Sequence, residues 1–138
     1  VGKAINPDTV EGQMDGGAAQ AIGWALMEEC FLRHGLVKET SLHEYLIPTA
    51  LDVPSLESII VESGSESGPF GAKGVGEPTI LGGAPAIRNA VLDATGLAMY
   101  EIPMTPVRVM EALERAETAS AAEKKPFFRV PLQCGLWD

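Results

Sequence analysis

The chain has 138 residues, of which 46% are hydrophobic, and a formal net charge of −9. This length and composition suffice for one compact domain and argue against disorder from end to end. The negative charge argues against binding to a nucleic-acid backbone or an anionic membrane, because both depend on clustered Lys and Arg. The most apolar stretch, residues 16–27, is interrupted by Gln20 and falls short of the roughly 20 residues needed to cross a bilayer. The sequence therefore predicts no membrane span and no nucleic-acid partner.

The two cysteines, Cys30 and Cys134, lie far apart, and neither has a second cysteine or a histidine at metal-ligand spacing. This pattern predicts reduced thiols of a cytoplasmic protein without an iron–sulfur cluster in this chain. Cys30 lies in an apolar run and is expected to be buried. The first residues, Val1–Ala4, show neither an initiator Met nor a signal-peptide pattern, so we expect a piece of a longer chain.

The first predicted element is a helix over about residues 12–32. Apolar residues recur there at helical spacing and also occur on the opposite side, which is typical of a largely buried helix. Gln13 and Gln20 lie seven positions apart and therefore nearly in line on one face. The commoner explanation of that spacing is two side-chain amides whose hydrogen bonds are satisfied inside a core.

Two extended segments are predicted next, over about residues 37–47 and 57–62, with prolines between them. A helix follows from Pro85 or earlier to Thr95, with Gly96 as its C-cap. A short strand over residues 97–102 precedes the last helix.

The last helix is predicted to begin with Thr105 as N-cap and Pro106 at its first position, and to end near Thr118. Its inward-facing residues are expected to be Val109, Met110 and Leu113. The order of elements predicts an α+β fold, with mixed strands, a long buried N-terminal helix and two later helices. Residues 1–118 are expected to form the folded portion. The tail, residues 119–138, is too apolar for a free linker and is expected to pack on something.

A glycine-rich segment carries the most unusual composition. Seven of the 15 glycines fall within residues 64–83, and Lys73 is the only Lys or Arg between Lys38 and Arg88. The segment matches neither the Walker phosphate loop nor the dinucleotide-binding GxGxxG pattern. A third interpretation is a loop whose glycines let the backbone approach a flat or metal-bearing ligand, with the Glu77 carboxylate pointing into the site.

Pro78 suits the first turn of a helix, which would place Glu77 at a helix N-terminus. That position favours the ionised carboxylate that a general base needs. An ordinary Gly/Pro turn with an exposed Lys and a capping Glu explains the same residues equally well.

The residues around this loop resemble the molybdenum hydroxylases, the xanthine dehydrogenase and aldehyde oxidase family, near the end of their molybdopterin-binding subunit. The resemblance spans about residues 4–113 in the family's order. The matching stretches are AINP (4–7), VEGQ (10–13), GGAAQAIG (16–23), YLIPTA (45–50), GAKGVGEP (71–78) and IPMTPVRV (102–109).

The resemblance implies that the chain is the C-terminal portion of a larger molybdopterin-binding domain. By the same resemblance Glu77 lies beside the molybdenum and is the general base, and Gln13 hydrogen-bonds the cofactor. The implied reaction hydroxylates a purine, another N-heterocycle or an aldehyde carbon with oxygen derived from water. The backbone that lines the metal site would be Lys73, Gly74, Val75 and Gly76. No side chain of this chain is expected to ligate the metal.

The implied cofactor is molybdenum-molybdopterin, either free or as a dinucleotide. The implied partners are the remainder of the molybdenum-binding subunit and iron–sulfur and FAD modules, in a homo-oligomeric enzyme. The isolated chain should hold no cofactor and show no turnover. A noncatalytic folding or assembly module that keeps the family's scaffold is the alternative.

Overall fold

The computed structural model describes residues 1–119, which form three α-helices, a two-stranded antiparallel ladder and two single 3₁₀ turns. This arrangement confirms the α+β class. The expected tail lies outside the described residues from position 120 onward. Within the described part, no helix combines the length and apolar character that a membrane crossing requires. In chain order the elements are α1 (Pro7–Leu26), β1 (Leu32–Arg33), β2 (Leu36–Val37), the 3₁₀ turns Pro69–Gly71 and Glu77–Ile80, α2 (Gly83–Thr95) and α3 (Pro106–Ala119).

Helix α1 begins and ends about five residues earlier than predicted. Asn6 is its N-cap and Pro7 its first residue, because Asn6 Oδ1 accepts a 3.4 Å hydrogen bond from the Thr9 N–H. The Asn-Pro-Asp sequence is therefore a helix start rather than a separate turn. At the other end the N–H groups of Met27 and Glu28 both donate to the Gly23 carbonyl, at 2.9 and 2.8 Å, and close the last turn.

Because α1 ends at Leu26, the residues beyond it are not covered by a helical face. Cys30 is exposed, so its expected burial is wrong. Trp24 is 45% exposed, so α1 is buried on one side only within the described residues. The buried side consists of small and medium residues: Val10, Gly17, Ala21, Gly23 and Ala25.

Helix α2 packs against α1 through a glycine. A Cβ on Gly83 would collide with the Cβ of Ala21, so only glycine allows this separation of the two backbones. The predicted end of α2 is confirmed: Gly96 is the C-cap, in the left-handed conformation with φ of 72°, and its N–H donates to the Leu92 carbonyl.

Three predicted strands are absent from the described structure. Residues 38–62 and 97–102 contain no ladder, and the observed ladder joins β1 to β2 only. His34 and Gly35 connect these strands with φ values of 50° and 76°, the left-handed pair that a tight hairpin requires. An extended segment becomes a strand only when a neighbouring segment accepts its backbone hydrogen bonds.

Helix α3 begins as predicted, with Pro106 at its first position and a 3.4 Å hydrogen bond from the Arg108 N–H to Thr105 Oγ1. Val109 and Leu113 are half-buried, but Met110 is 57% exposed, so its inward orientation is wrong. Within residues 1–119 no element covers that part of the α3 surface.

The start of α3 is tied to the end of α1. The Met104 N–H donates to the Ala25 carbonyl at 2.6 Å, and the Met104 side chain is buried. The Arg108 guanidinium donates to the Pro103 carbonyl at 2.8 Å and pairs with Glu29. These contacts fix the position of α3 relative to α1.

Tyr45 joins the irregular segment after the hairpin to the end of α1. Its hydroxyl donates a 2.6 Å hydrogen bond to Glu28 Oε2. Nearby, the Pro48 ring occupies space that a side chain on Gly23 would need, since a Cβ there would lie 2.7 Å from Pro48 Cδ. The hydrogen bond to Glu28, followed by desolvation and the Glu28 charge, raises the pKa of Tyr45 to about 12.

We expect Glu28→Gln to lower the pKa of Tyr45 from about 12 toward its ordinary value near 10, because a neutral amide stabilises the phenol less than a carboxylate does. Since the pKa is raised in the folded state, this bond contributes fully below pH about 10 and is lost as pH rises through about 12. Ultraviolet titration of tyrosinate in a Tyr100→Phe background measures Tyr45 alone. Glu11→Gln is the control, and an unchanged Tyr45 titration in Glu28→Gln would contradict the assignment.

Gly17 and Gly16 offer a matched pair in α1. A Cβ on Gly17 would lie 2.7 Å from the Thr79 Cβ, whereas a Cβ on Gly16 meets nothing within 4 Å. Gly17→Ala should therefore lower the free energy of unfolding by about 1–2 kcal/mol. Gly16→Ala should raise it by about 0.5–1 kcal/mol, because alanine favours the helix. Urea unfolding followed by circular dichroism compares the two, and equal effects would contradict the close packing at Gly17.

Candidate functional site

The glycine-rich loop is held by the first residues of the chain. The Lys3 N–H donates to the Gly71 carbonyl at 2.8 Å, and the Ser63 N–H donates to the Val1 carbonyl at 2.8 Å. The Ala4 N–H donates to Glu62 Oε1 at 2.7 Å. The N-terminal segment, residues 1–4, therefore binds both to residues 62 and 63 and to the glycine-rich loop at Gly71.

Gly2 makes the closest of these contacts and is buried. A Cβ on Gly2 would lie 2.5 Å from the Lys73 nitrogen and 2.8 Å from the Ala72 carbonyl carbon. These atoms belong to the backbone, so a flexible side chain could not move aside to relieve the clash. The separation between the N-terminal segment and the loop thus requires glycine at this position.

Gly74 and Gly76 differ from Gly2 because packing does not require them. A Cβ on Gly74 would meet nothing within 4 Å, and the nearest atom to a Cβ on Gly76 is Gln13 Nε2, at an ordinary 3.8 Å. The loop backbone is therefore open at Gly74, and it borders the side-chain amide of α1 at Gly76. Sequence reasoning assigned Gln13 and Gly76 to one site, and the structure brings these two residues together.

Glu77 is exposed and begins the second 3₁₀ turn, Glu77–Ile80. Pro78 is the next residue, and α2 begins only at Gly83. The expected helix N-terminus at Glu77 is therefore a single turn. Too few peptide dipoles are aligned in one turn to favour the ionised carboxylate appreciably, so that part of the expectation is wrong.

Thr79 fixes this turn to α1. Its N–H and its Oγ1 both donate to the Gly76 carbonyl, at 3.1 and 2.8 Å. The same side chain lies against the backbone of α1 at Gly17. Sequence reasoning missed Thr79. A hydroxyl residue two positions after a candidate carboxylate, together with the Gly16-Gly17 pair in a helix, was the available signal.

Lys73 does not contact the Glu77 carboxylate. Its Nζ donates a 2.8 Å hydrogen bond to Ser63 Oγ, and the side chain is exposed. Neither ion pair within residues 1–119 includes Lys73 or Glu77. The next backbone positions are Gly74, which is exposed, and Val75, which is half-buried. The Lys73 ammonium is therefore bound to Ser63, next to the N-terminal segment, and not to the Glu77 carboxylate.

A groove of about 240 Å³ lies on the α1 side of Thr79. Ser58 Oγ donates a 2.9 Å hydrogen bond to Asp15 Oδ1 across it. Its lining residues are Met14, Asp15, Ala18, Leu56, Glu57, Ser58 and Thr79. The groove thus separates α1 from the extended segment that precedes the loop, next to the turn that carries Glu77.

The residues of this site fit a large organic cofactor with anionic oxygen atoms. Backbone N–H groups and a side-chain amide are hydrogen-bond donors to such atoms. Gly74 and the gap between Gly76 and Gln13 leave space where side chains would otherwise stand. The loop from Lys73 to Glu77 and the facing Gln13 of α1 together contain these donors, this space and the Glu77 carboxylate.

Comparison with known proteins identifies relatives of this chain. Residues 1–54 match the molybdopterin cofactor-binding domain. The chain is 44% identical over 117 residues to a putative xanthine dehydrogenase molybdenum-binding subunit of Escherichia coli, which covers 83% of the chain and 16% of that protein. It is 36% identical over 115 residues to an aldehyde oxidoreductase of Megalodesulfovibrio gigas, covering 83% of the chain and 12% of that protein.

The fold agrees with a solved structure of the same kind. Quinoline 2-oxidoreductase of Pseudomonas putida superposes with a TM-score of 0.75 and 39% identity, over 82% of this chain and 15% of that one. The chain therefore spans less than one fifth of the length of the relatives it matches. These similarities confirm the family predicted from the sequence. The chain belongs to the molybdenum hydroxylase family and corresponds to part of its molybdopterin-binding domain.

Proposed function

We propose that this chain supplies part of the active site of a xanthine dehydrogenase-like molybdenum hydroxylase, with Glu77 as the general base. The observation that carries the proposal is the approach of the Gln13 amide to Gly76, directly before Glu77. A cofactor-binding amide and a candidate base are thereby brought to one opening, although they are more than sixty positions apart in the sequence.

The cofactor-binding residues are Gln13 and the loop backbone of Lys73, Gly74, Val75 and Gly76. Gln13 donates from Nε2, and the loop offers N–H groups that a side chain at Gly74 or Gly76 would obstruct. Gly2 and the N-terminal segment hold this loop, so the backbone donors are in place before a ligand arrives. Preorganised donors cost little ordering on binding.

The proposed substrate is a purine, another N-heterocycle or an aldehyde, as in the relatives named for xanthine, quinoline and aldehydes. In the overall reaction, R–H and water give R–OH with two electrons and two protons. When bound, the molybdenum cofactor supplies the Lewis acidity and accepts the two electrons. An iron–sulfur and flavin electron-transfer chain in partner modules then removes them.

The role of Glu77 is to accept one proton of the attacking water at a carboxylate oxygen. An exposed, ionised carboxylate with no ion pair in the described residues is available for this transfer. The remainder of the molybdenum-binding subunit completes the cofactor and substrate pockets. The isolated chain is therefore proposed to be inactive.

We expect Glu77→Gln in the complete subunit to lower hydroxylation by roughly 10² to 10⁴-fold, because the amide cannot accept the proton. Molybdenum content should stay close to that of the parent, because glutamine fills the same space as glutamate. Glu66→Gln, an exposed carboxylate on the preceding segment, is the control. The assay uses a panel of xanthine, quinoline and benzaldehyde with an artificial dye as electron acceptor.

Substantial turnover by Glu77→Gln would contradict the assignment of the base. Absence of molybdenum from the complete parent protein, under conditions that load a known hydroxylase, would instead favour the folding or assembly module. Elemental analysis therefore separates the two functions before any kinetic experiment.

Gln13 and Gln20 allow a test of cofactor binding on one helix face. Both are exposed residues of α1, but only Gln13 borders the loop. Gln13→Ala should retain molybdenum about 2- to 10-fold less well on dialysis, which corresponds to one lost hydrogen bond. Gln20→Ala should retain it as the parent does. Equal retention in the two variants, measured by elemental analysis, would remove Gln13 from the cofactor site.

A further inference from the structure

The geometry points to Thr79 as a positioning residue that holds the backbone from which the Glu77 side chain extends, an inference that rests on the proposed function. Thr79 contacts neither the open side of Gly74 nor the Gln13 amide, so it is outside the cofactor-binding set. Its hydroxyl donates to the Gly76 carbonyl, and the same oxygen is the atom nearest to the place of a Cβ on Gly17. Through these contacts Thr79 connects the turn that carries Glu77 to the buried side of α1.

Thr79 restrains the peptide that joins Gly76 to Glu77. Because a peptide unit is planar, hydrogen bonds to its carbonyl oxygen restrict the rotation of the whole unit. The Gly76 oxygen accepts two hydrogen bonds from Thr79, one from the N–H at 3.1 Å and one from Oγ1 at 2.8 Å. The direction in which the chain enters Glu77 is therefore set by Thr79.

Gly76, the residue before the base, is not restrained by packing. Gly76 has no side chain, and the nearest atom to its missing Cβ is 3.8 Å away. Glycine explores more backbone conformations than any other residue, so packing at position 76 does not restrain the Gly76–Glu77 peptide. The Oγ1 hydrogen bond is the side-chain restraint available to this peptide in the described structure.

The turn that carries Glu77 is held against α1 through Thr79. Thr79 lies against α1 at Gly17, and Gly83 lies against Ala21 one helical turn further along α1. Both approaches are closer than any residue other than glycine would allow. The turn that carries Glu77 is thus fixed at two points on one helix face, and Thr79 is the one nearer to the base.

A threonine has a hydroxyl and a methyl group on the same carbon, so substitution can separate them. Thr79→Val keeps the shape that packs on Gly17 but removes the Oγ1 hydrogen bond. In the complete, molybdenum-loaded subunit it should lower kcat per bound molybdenum by about 10- to 100-fold, the loss expected from misplacing a catalytic group by about 1 Å. KM should stay within about threefold, because Thr79 is not proposed to touch substrate.

Thr79→Ser keeps the hydroxyl and loses the methyl group. It should restore kcat per bound molybdenum to within about threefold of the parent, because the hydroxyl, which is also the Thr79 atom nearest to the place of a Cβ on Gly17, is retained. A residue with only a packing role would instead leave Thr79→Val close to the parent, because valine has the same shape as threonine. Gly16→Ala, which meets open space on α1, is the control for nonspecific effects on the helix.

Glu77→Gln is measured in the same series, so failure of the inference and failure of the proposed function are distinguishable. If Glu77→Gln loses activity while Thr79→Val keeps the parent kcat per molybdenum, the positioning role is overturned and the base remains. Equal impairment of Thr79→Val and Thr79→Ser also overturns it, since the hydroxyl then has no separate effect. If Glu77→Gln itself retains full turnover, the proposed function fails, and the role of Thr79 fails with it.

Discussion

Close packing of neighbouring residues against glycines, which have no side chain, is the constraint on which this structure depends. Gly17 admits Thr79, Gly83 admits Ala21, and Gly2 admits the backbone of Ala72 and Lys73. Each contact removes the space that a side chain would occupy, and together they hold a loop and a 3₁₀ turn against α1 without large buried side chains. A different pair, Gly74 and Gly76, is not needed for packing and leaves the loop backbone accessible. Some glycines of this chain thus allow close packing, whereas others leave the loop backbone accessible.

The helices could be predicted because their signals are local. Gly96 and Thr105-Pro106 each act on neighbouring backbone groups, and each is found as the predicted cap or first residue. The boundaries of α1 were misplaced because its apolar pattern continues beyond Leu26, whereas its hydrogen bonds end there. Strands could not be predicted reliably, since a strand depends on a partner segment that local sequence does not specify. The exposed Cys30 and Met110 have a similar cause, because burial depends on what packs on a surface from elsewhere.

The residues of the candidate site are predictions from the resemblance, and the residues that support them were not predicted. The resemblance assigned Gln13 and Glu77, and the structure adds the approach of the Gln13 amide to Gly76. Thr79 and Gly2 were missed because their effect is purely geometric, and neither carries a charge or an unusual side-chain chemistry. The helix N-terminus expected at Glu77 is one 3₁₀ turn. The hydrogen bonds at this turn hold the Gly76 carbonyl, and no long helix begins at Glu77.

The N-terminal segment also has a consequence for how the site forms. The hydrogen bond from Ala4 to Glu62 and that from the Val1 amino group to Val61 join residues 58 and 60 positions apart. Closing a chain loop of this size costs entropy before its contacts are gained, and contacts of high sequence separation slow folding. The hydrogen bonds within helices α1, α2 and α3, in contrast, join residues only four positions apart. The contacts between the N-terminal segment and residues 61–71 therefore carry a larger loop-closure cost than the hydrogen bonds of the helices.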